Sequence, residues 1–283
     1  MDKKLNEDSN FKLRRMLLSG SLAKRTALKN LNDIDVALYI LQPNPPDDMP
    51  KFLDDLVNML KTLYSNMEPS QIQKQEHSIR ISYRGTGLDV DLVPIAYDDN
   101  GEWNGYLYSS RSGEWVKTNI KKHLEFIGKR KKKHDAHYVQ VIRLLKYWIK
   151  ETKKNDESFR FKSFLVELIV AHLADNGKIC LDDYVEALAD FFNFIVRGKL
   201  DEIIVFPDYY PRSSVSRCSD QIRVFDPVNP GNNVASNYTF HNKKSIADAA
   251  ADAADAVDSA LRAPTKGEAV RYWRKVFGSS FGG

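Results

Sequence analysis

The first third of the chain alternates apolar and polar residues in short runs that glycine or proline interrupts, a pattern that predicts strands joined by turns. Strands are predicted over residues 11–18, 33–40, 77–84 and 88–95, and the last two form a hairpin. Residues 51–65 instead repeat apolar positions at helical spacing, which predicts one amphipathic helix among these strands.

From residue 138 onward the apolar positions recur mostly at helical spacing. Helices are predicted over residues 138–149, 161–173, 181–196, 245–263 and 268–277. Residues 98–114 and 226–234 are rich in Asn, Gly, Ser or Pro and are predicted to be irregular loops. The chain is therefore expected to be an α/β protein in which strands come first and helices follow.

Two aspartates lie at the start of the second predicted strand, and eleven residues separate the first of them from a Gly-Ser turn. Alternate side chains of a strand share a face, so Asp33 and Asp35 project together. Small residues such as Gly20 and Ser21 let backbone N–H groups approach phosphate oxygens closely. Mg²⁺ prefers one or two carboxylates together with substrate phosphates. A metal and nucleotide site is favoured over two surface acids on a half-exposed strand.

A third acid is expected from the predicted hairpin, which brings residues 88–95 beside the first acidic strand. Asp89 and Asp91 lie on the same face of this strand, and spacing alone does not choose between them. The alternative is a solvent-facing strand edge without a metal.

Composition changes this picture little. The chain has 283 residues, a formal net charge of +4 and no apolar run near the roughly 20 residues of a membrane span. The first ten residues are too polar for a signal peptide, and Cys180 and Cys218 are too few for a disulfide framework. A cytoplasmic protein is expected. The basic run at residues 129–133 could contact RNA or DNA, although a solvated helix end or linker is favoured.

Seven segments resemble the cGAS-like and oligoadenylate-synthase-like branch of the polymerase β-type nucleotidyltransferases. In chain order they are SGSLAKRTAL, NDIDVAL, VDLVP, VIRLLKYWIK, FKSFLVELI, FDPVNPGNNVA and YWRKVFG. The resemblance implies a bacterial enzyme that makes the cyclic oligonucleotide signals of antiphage (CBASS) defence. It also implies a polymerase β-like catalytic lobe with a small mixed sheet over residues 1–112. A mainly helical lobe, residues 113–283, would close the nucleotide cleft.

The resemblance also implies roles for the acidic motif. Gly20 and Ser21 would hold the triphosphate of a nucleoside triphosphate, and Asp33 and Asp35 would bind Mg²⁺, with Mn²⁺ as an alternative. The family places its third acid three residues before a proline, which selects Asp91, while Asp89 stays as the alternative. Asp91 would complete the metal site and help to orient or deprotonate the attacking ribose hydroxyl.

Four further residues match nucleotide-binding positions of the family. Lys146, at the border of an apolar helix face, and Ser163 would contact the triphosphate, and Phe164 would stack on the base. Asn233 would also contact the nucleotide. A core phenylalanine, a helix-capping serine and a turn-forming asparagine are equally good explanations for the last three.

Two features depart from the family. Its members usually begin with a long helix before the Gly-Ser turn, which here is expected to be absent or reduced to about ten residues. The zinc-binding cysteine cluster of the animal DNA sensor is missing, so activation by double-stranded DNA through that module is not expected.

The predicted function is metal-dependent synthesis of cyclic di- or trinucleotide messengers from nucleoside triphosphates. A downstream effector would sense the product and a regulatory protein could join it, while a membrane partner is not expected. One alternative is an enzyme that adds nucleotides to an RNA 3′ end, which the basic run would support. Another is a non-catalytic nucleotide-binding sensor, against which the intact Asp33, Asp35 and Asp91 argue.

Overall fold

The structure is a computed structural model that describes residues 12–28, 33–41, 49–75, 78–97, 102–109 and 113–282. The chain divides into two compact units, Met1–Glu125 and Phe126–Gly283, and the boundary falls within one long helix. The ten N-terminal residues lie outside the described residues, as do Phe11 and His77, which begin two of the predicted strands.

The first unit is built on a mixed sheet. Its strands are β1 (Leu13–Leu18), β2 (Asp33–Leu41), β3 (Ile72–Lys74), β4 (Ile79–Tyr83), β5 (Leu88–Tyr97), β6 (Gly105–Ser109) and β7 (Glu114–Thr118). Its helices are α1 (Gly20–Ala23) and α2 (Met49–Leu63). The strand order is β1-β2-β5-β4-β3, and β6 pairs with the end of β5 and with β7. Only β2 and β5 run parallel among the described strands of this sheet, so the predicted mixed sheet is confirmed.

One face of this sheet packs against α2. Leu38 and Leu92 from the central strands lie in one buried cluster with Leu53, Leu56 and Leu60 from the helix. The three leucines of α2 are at positions that helical spacing predicts to face the core. Burying each of these side chains adds roughly 1.5–3 kcal/mol to the stability of the fold. The predicted amphipathic helix is confirmed.

The opposite face carries a small aromatic core. The ring of Tyr39 makes edge contacts with Tyr97 and Trp103, at centroid distances of 5.5 and 5.2 Å. Its hydroxyl donates to the carbonyl oxygen of Trp103 at 3.4 Å and accepts from the backbone N–H of Ile120 at 3.2 Å. Burial raises the pKa of Tyr39 to about 12. Tyr39 therefore ties the central strand to the chain on either side of the β6–β7 hairpin.

The second unit is mainly helical, as predicted. Its helices are α3 (Ile120–Asn155), whose first residues belong to the first unit, α4 (Ser163–Asp175), α5 (Tyr184–Val196), α6 (Phe240–Leu261) and α7 (Lys266–Phe277). A small sheet contains β8 (Ile203–Ile204), β9 (Arg223–Asp226) and β10 (Asn229–Asn233). At the centre of this unit, Trp148 makes edge contacts with Phe159, Phe161 and Phe192.

Both predicted loops are wrong in part. Residues 105–109 and 114–118 form the β6–β7 hairpin, in which Tyr108 lies opposite Trp115. Residues 226–234 contain the end of β9 and all of β10. In both stretches the Asn, Gly and Pro residues obscure the sequence pattern of a strand. Pairing with a neighbouring strand nevertheless stabilises short strands there. Residues 98–101 and 110–112 lie outside the described part of the chain.

The basic run at residues 129–133 forms neither a helix end nor a linker, because it lies well inside α3. Arg130 is buried, and its guanidinium donates to the carboxylates of Asp175 and Asp208 while it packs on the ring of Phe126. One of the five basic residues therefore serves the fold of the second unit.

Among the described helices, none is both long enough and apolar enough to cross a lipid bilayer.

Replacing Tyr39 by Phe should lower the free energy of unfolding by about 1–2 kcal/mol, because both hydrogen bonds of the buried hydroxyl are lost. Urea denaturation followed by circular dichroism measures this change. Tyr106→Phe is the control, since Tyr106 is 36% exposed on the neighbouring hairpin. An equal effect of the two substitutions would contradict a specific role for the Tyr39 hydroxyl.

Candidate active site

The Gly-Ser turn lies directly against the first acidic strand. The backbone N–H of Ser19 donates to the carbonyl oxygen of Asp35 at 2.8 Å, and the chain then enters the single turn α1. Gly20 has a φ of +61°, and a Cβ atom added to it would lie 1.7 Å from Oδ2 of Asp35. Only glycine meets both requirements, a left-handed backbone and a close approach to the carboxylate.

The parallel pairing of β2 and β5 assembles four carboxylates in one row. Asp33 lies opposite Asp89, and Asp35 lies opposite Asp91. Paired residues of neighbouring strands project to the same face, and so do residues two apart on one strand. Asp33 is exposed and the other three side chains are partly buried. The predicted meeting of the hairpin acids with the first acidic strand is therefore confirmed, and both candidates for the third acid are present.

Within this row, burial and the neighbouring negative charges disfavour the ionised form of Asp35. Burial raises the pKa of Asp35, and the negative charges of Asp91 and Asp33 raise it further, while Lys24 and Arg80 act in the opposite direction. A group whose charged form is disfavoured by burial and by like charges is one that a bound cation stabilises. The row therefore fits a divalent metal ion by its chemistry.

Sequence reasoning missed Arg80, which lies on β4 directly opposite Asp91. Its Nε and Nη2 atoms donate to Oδ1 and Oδ2 of Asp91 at 2.9 and 2.8 Å. Its Nη1 atom lies 3.5 Å from Oδ2 of Asp89. The signal was present in the sequence, since Arg80 is a basic residue between two apolar ones on the strand that pairs with the third acid.

Within the part of the chain that the structure describes, no three carboxylate, imidazole or thiol groups form a preassembled metal cage. Both oxygens of Asp91 are engaged by Arg80, and Asp33 and Asp35 stand beside them on the neighbouring strand. This arrangement suits Mg²⁺, which binds through one or two carboxylates and takes its other ligands from water and substrate phosphates.

The remaining predicted site residues lie in the second unit. Lys146 is buried, and its ammonium donates to Oε1 of Glu167 at 2.6 Å. Its position at the border of a helix face had suggested that the ammonium reaches outward. Glu167 interrupts an otherwise apolar run of α4, which was the available signal for a buried partner. Ser163 is exposed at the start of α4, and Phe164 is half-buried against the core of this unit.

Both the nitrogen and the oxygen of the Asn233 side-chain amide form hydrogen bonds within the protein. Its nitrogen donates to Oδ2 of Asp220 at 2.7 Å and to the carbonyl oxygen of Ile222 at 2.8 Å. Its oxygen accepts from the backbone N–H groups of Val224 and Ala235. These four bonds support the turn-forming explanation of Asn233.

Known proteins resemble this chain over nearly all of its length. Residues 1–130 match the family model of the Second Messenger Oligonucleotide or Dinucleotide Synthetase (SMODS) domain. The chain is 49% identical over 279 residues to a cyclic AMP-AMP-AMP synthase of Escherichia coli strain MS 115-1, covering 99% of this chain and 87% of that protein. It is 29% identical over 286 residues to the CBASS oligonucleotide cyclase CdnC of E. coli strain KTE188, covering 99% and 86% of the two chains. The chain belongs to the CBASS oligonucleotide cyclases.

Solved structures agree with this assignment. The cyclase matches the structure of E. coli MS115-1 CdnC with ATP at a TM-score of 0.90 and 48% identity, over 100% of this chain and 88% of that one. It matches the complex of the same CdnC with HORMA-deltaN at a TM-score of 0.89, with the same identity and coverage. The predicted family, fold and enzyme class are confirmed: the cyclase is a nucleotidyltransferase that makes oligonucleotide second messengers from nucleoside triphosphates.

Replacing Gly20 by Ala should abolish nucleotidyl transfer by the cyclase, with a loss of about a hundredfold or more, because the new methyl group displaces the Asp35 carboxylate. Rates of pyrophosphate release measure the effect. Gly87→Ala is a matched control, since Gly87 has a φ of +65° but nothing within 4 Å of an added Cβ. Equal losses of activity in both variants would mean that backbone strain, and not contact with Asp35, explains why glycine is required at position 20.

Proposed function

We propose that this cyclase joins ATP molecules into cyclic tri-AMP at the aspartate row of its first unit. The proposal is supported by the 49% identity to a cyclic AMP-AMP-AMP synthase over almost the whole chain, and by the match to the CdnC structure with ATP. The observation that carries it is the in-register pairing of Asp33 and Asp35 with Asp89 and Asp91 beside the Gly-Ser turn.

Asp33 and Asp35 would hold Mg²⁺, and Asp91 would complete the site. When bound, the ion neutralises charge that develops on the α-phosphate and on the pyrophosphate leaving group. Gly20 and Ser21 would hold the triphosphate, since the absence of a Cβ at Gly20 leaves the backbone open beside Asp35.

Asp91 would also orient the attacking ribose hydroxyl or take its proton. Two hydrogen bonds from Arg80 hold the plane of this carboxylate but leave lone pairs on both oxygens, which a hydroxyl proton can reach. Asp89 is the alternative third acid. Its nearest contact with Arg80 is longer, at 3.5 Å, so its carboxylate is held less firmly.

In the second unit we propose nucleotide contacts for Ser163 and Phe164, whose side chains are exposed and half-buried, respectively. A contact by Lys146 would have to share its ammonium with Glu167. For Asn233 the internal hydrogen bonds favour a supporting role, in which it ties the end of β10 to the start of β9.

A regulatory protein of the HORMA class is a proposed partner, since the related CdnC was solved in complex with HORMA-deltaN. An effector that senses the cyclic product is a second proposed partner. Function in the cytoplasm fits an enzyme that consumes nucleoside triphosphates and has two free cysteines.

The testing experiment incubates the cyclase, alone and with a HORMA partner, with each labelled nucleoside triphosphate and Mg²⁺ or Mn²⁺. Products are treated with phosphatase and identified by mass spectrometry. We expect a phosphatase-resistant cyclic trimer from ATP alone, which EDTA and the Asp33→Asn/Asp35→Asn variant abolish. A product with other bases or another ring size would contradict cyclic tri-AMP, and a product that survives EDTA would contradict the metal.

Asp35→Asn should abolish activity yet raise the melting temperature measured without metal. The expected rise is roughly 2–4 °C, for about 1 kcal/mol gained when the cost of burying the charged carboxylate and its repulsion by Asp91 and Asp33 are removed. The sign follows from the raised pKa of Asp35, because its ionised form is disfavoured in the folded state above that pKa. Differential scanning calorimetry at pH 7 measures the change, with exposed Asp54→Asn as the control. A lower melting temperature for Asp35→Asn would contradict the strained-carboxylate interpretation.

A further inference from the structure

The guanidinium of Arg80 is bound directly to the aspartate row. It engages both oxygens of Asp91, at 2.9 and 2.8 Å, and approaches Asp89 at 3.5 Å. Two parallel N–H···O bonds between an arginine and a carboxylate fix geometry as well as adding energy. The Arg80 side chain is 31% exposed and that of Asp91 is 15% exposed, so the pair is largely shielded from solvent screening.

Arg80 cannot leave this position by losing its proton. Arginine stays protonated in proteins, and its hydrogen bonds to Asp91 raise the pKa of the guanidinium still further. A metal ion that binds Asp91 must therefore share the carboxylate with Arg80 or displace it.

We propose that Arg80 is a counter-cation of the metal-free aspartate row. Arg80 holds Asp91 in its working orientation and competes with the divalent ion for the Asp91 carboxylate. This inference rests on the proposed metal site. Because two hydrogen bonds leave lone pairs on both Asp91 oxygens, the competition weakens metal binding without preventing it. Metal alone would bind weakly, and metal carried by a nucleotide, whose phosphates supply further ligands, would bind well.

A purely structural cross-strand ion pair is the competing explanation. Opposite charges facing each other across antiparallel strands stabilise a sheet wherever they occur. That explanation predicts a change in stability when Arg80 is replaced but no change in the affinity for metal.

The test measures Mn²⁺ binding without nucleotide, by electron paramagnetic resonance of the free ion, for wild type, Arg80→Met and Arg80→Lys. Removing a positive charge so near the row should lower the Kd for Mn²⁺ about tenfold in Arg80→Met. Arg80→Lys keeps the charge but loses the planar fork, so its Kd should stay near that of wild type while kcat falls. Arg84→Met is the matched control, because Arg84 belongs to the same hairpin but pairs with exposed Glu68.

Thermal melting with and without Mn²⁺ covers the case in which Arg80→Met folds poorly. Mn²⁺ should raise the melting temperature of Arg80→Met more than that of wild type, because the ion replaces the missing charge. Suppose that wild type and Arg80→Met bind Mn²⁺ equally well and that Asp35→Asn abolishes the binding. The proposed role of Arg80 is then overturned, while the proposed metal site stands. If Arg80→Met shows no Mn²⁺ binding that Asp35→Asn abolishes, this inference fails. The proposed metal site is judged separately, by whether EDTA and Asp33→Asn/Asp35→Asn abolish the synthesis of product.

Discussion

The parallel pairing of β2 with β5 is the constraint on which the candidate active site depends. It runs in register from Asp33 opposite Asp89 to Leu41 opposite Tyr97, so two separate Asp-x-Asp segments meet side by side. A slip of one residue would turn the aspartates of one strand toward α2 and the leucine core. The apolar residues on that face therefore specify the register, and the register in turn specifies the carboxylate row.

The same pairing sets the limits of the row. Beyond Asp35 and Asp91, the residues on this face become Ala37, Tyr39 and Ile95, which are buried in the aromatic core. The acids thus lie at the start of two strands whose continuations are rigidly packed, an arrangement that holds reactive groups more firmly than a loop would. Gly20 then brings the backbone against Asp35 at the one point where a side chain would clash.

The residues of this row could be predicted from the sequence because strand alternation is local: Asp33 and Asp35 share a face whatever the rest of the chain does. Arg80 was missed because its partner depends on the register of a hairpin, which alternation alone does not determine. The β6–β7 strands were missed because Asn, Gly and Ser residues diluted a pattern that the pairing of Tyr108 with Trp115 stabilises. For Lys146 the sequence contained a signal, since Glu167 interrupts an apolar helix, but it did not show that these two residues on different helices pair.

The burial of Lys146 affects which groups could offset the negative charge of a substrate triphosphate. The side chains of Lys146 and Glu167 are 5% and 2% exposed, and the pair as a whole is neutral. Losing either partner would strand a charge in the core, at a cost of about 3–5 kcal/mol, so the pair is firmly held. A neutral pair attracts phosphates weakly, whereas a divalent ion on the aspartate row would coordinate phosphate oxygens directly. The proposed metal would therefore contribute more than Lys146 to the binding of the phosphates. The raised pKa of Asp35 reflects the free-energy cost of keeping a partly buried carboxylate beside other acids at the position that would bind this metal.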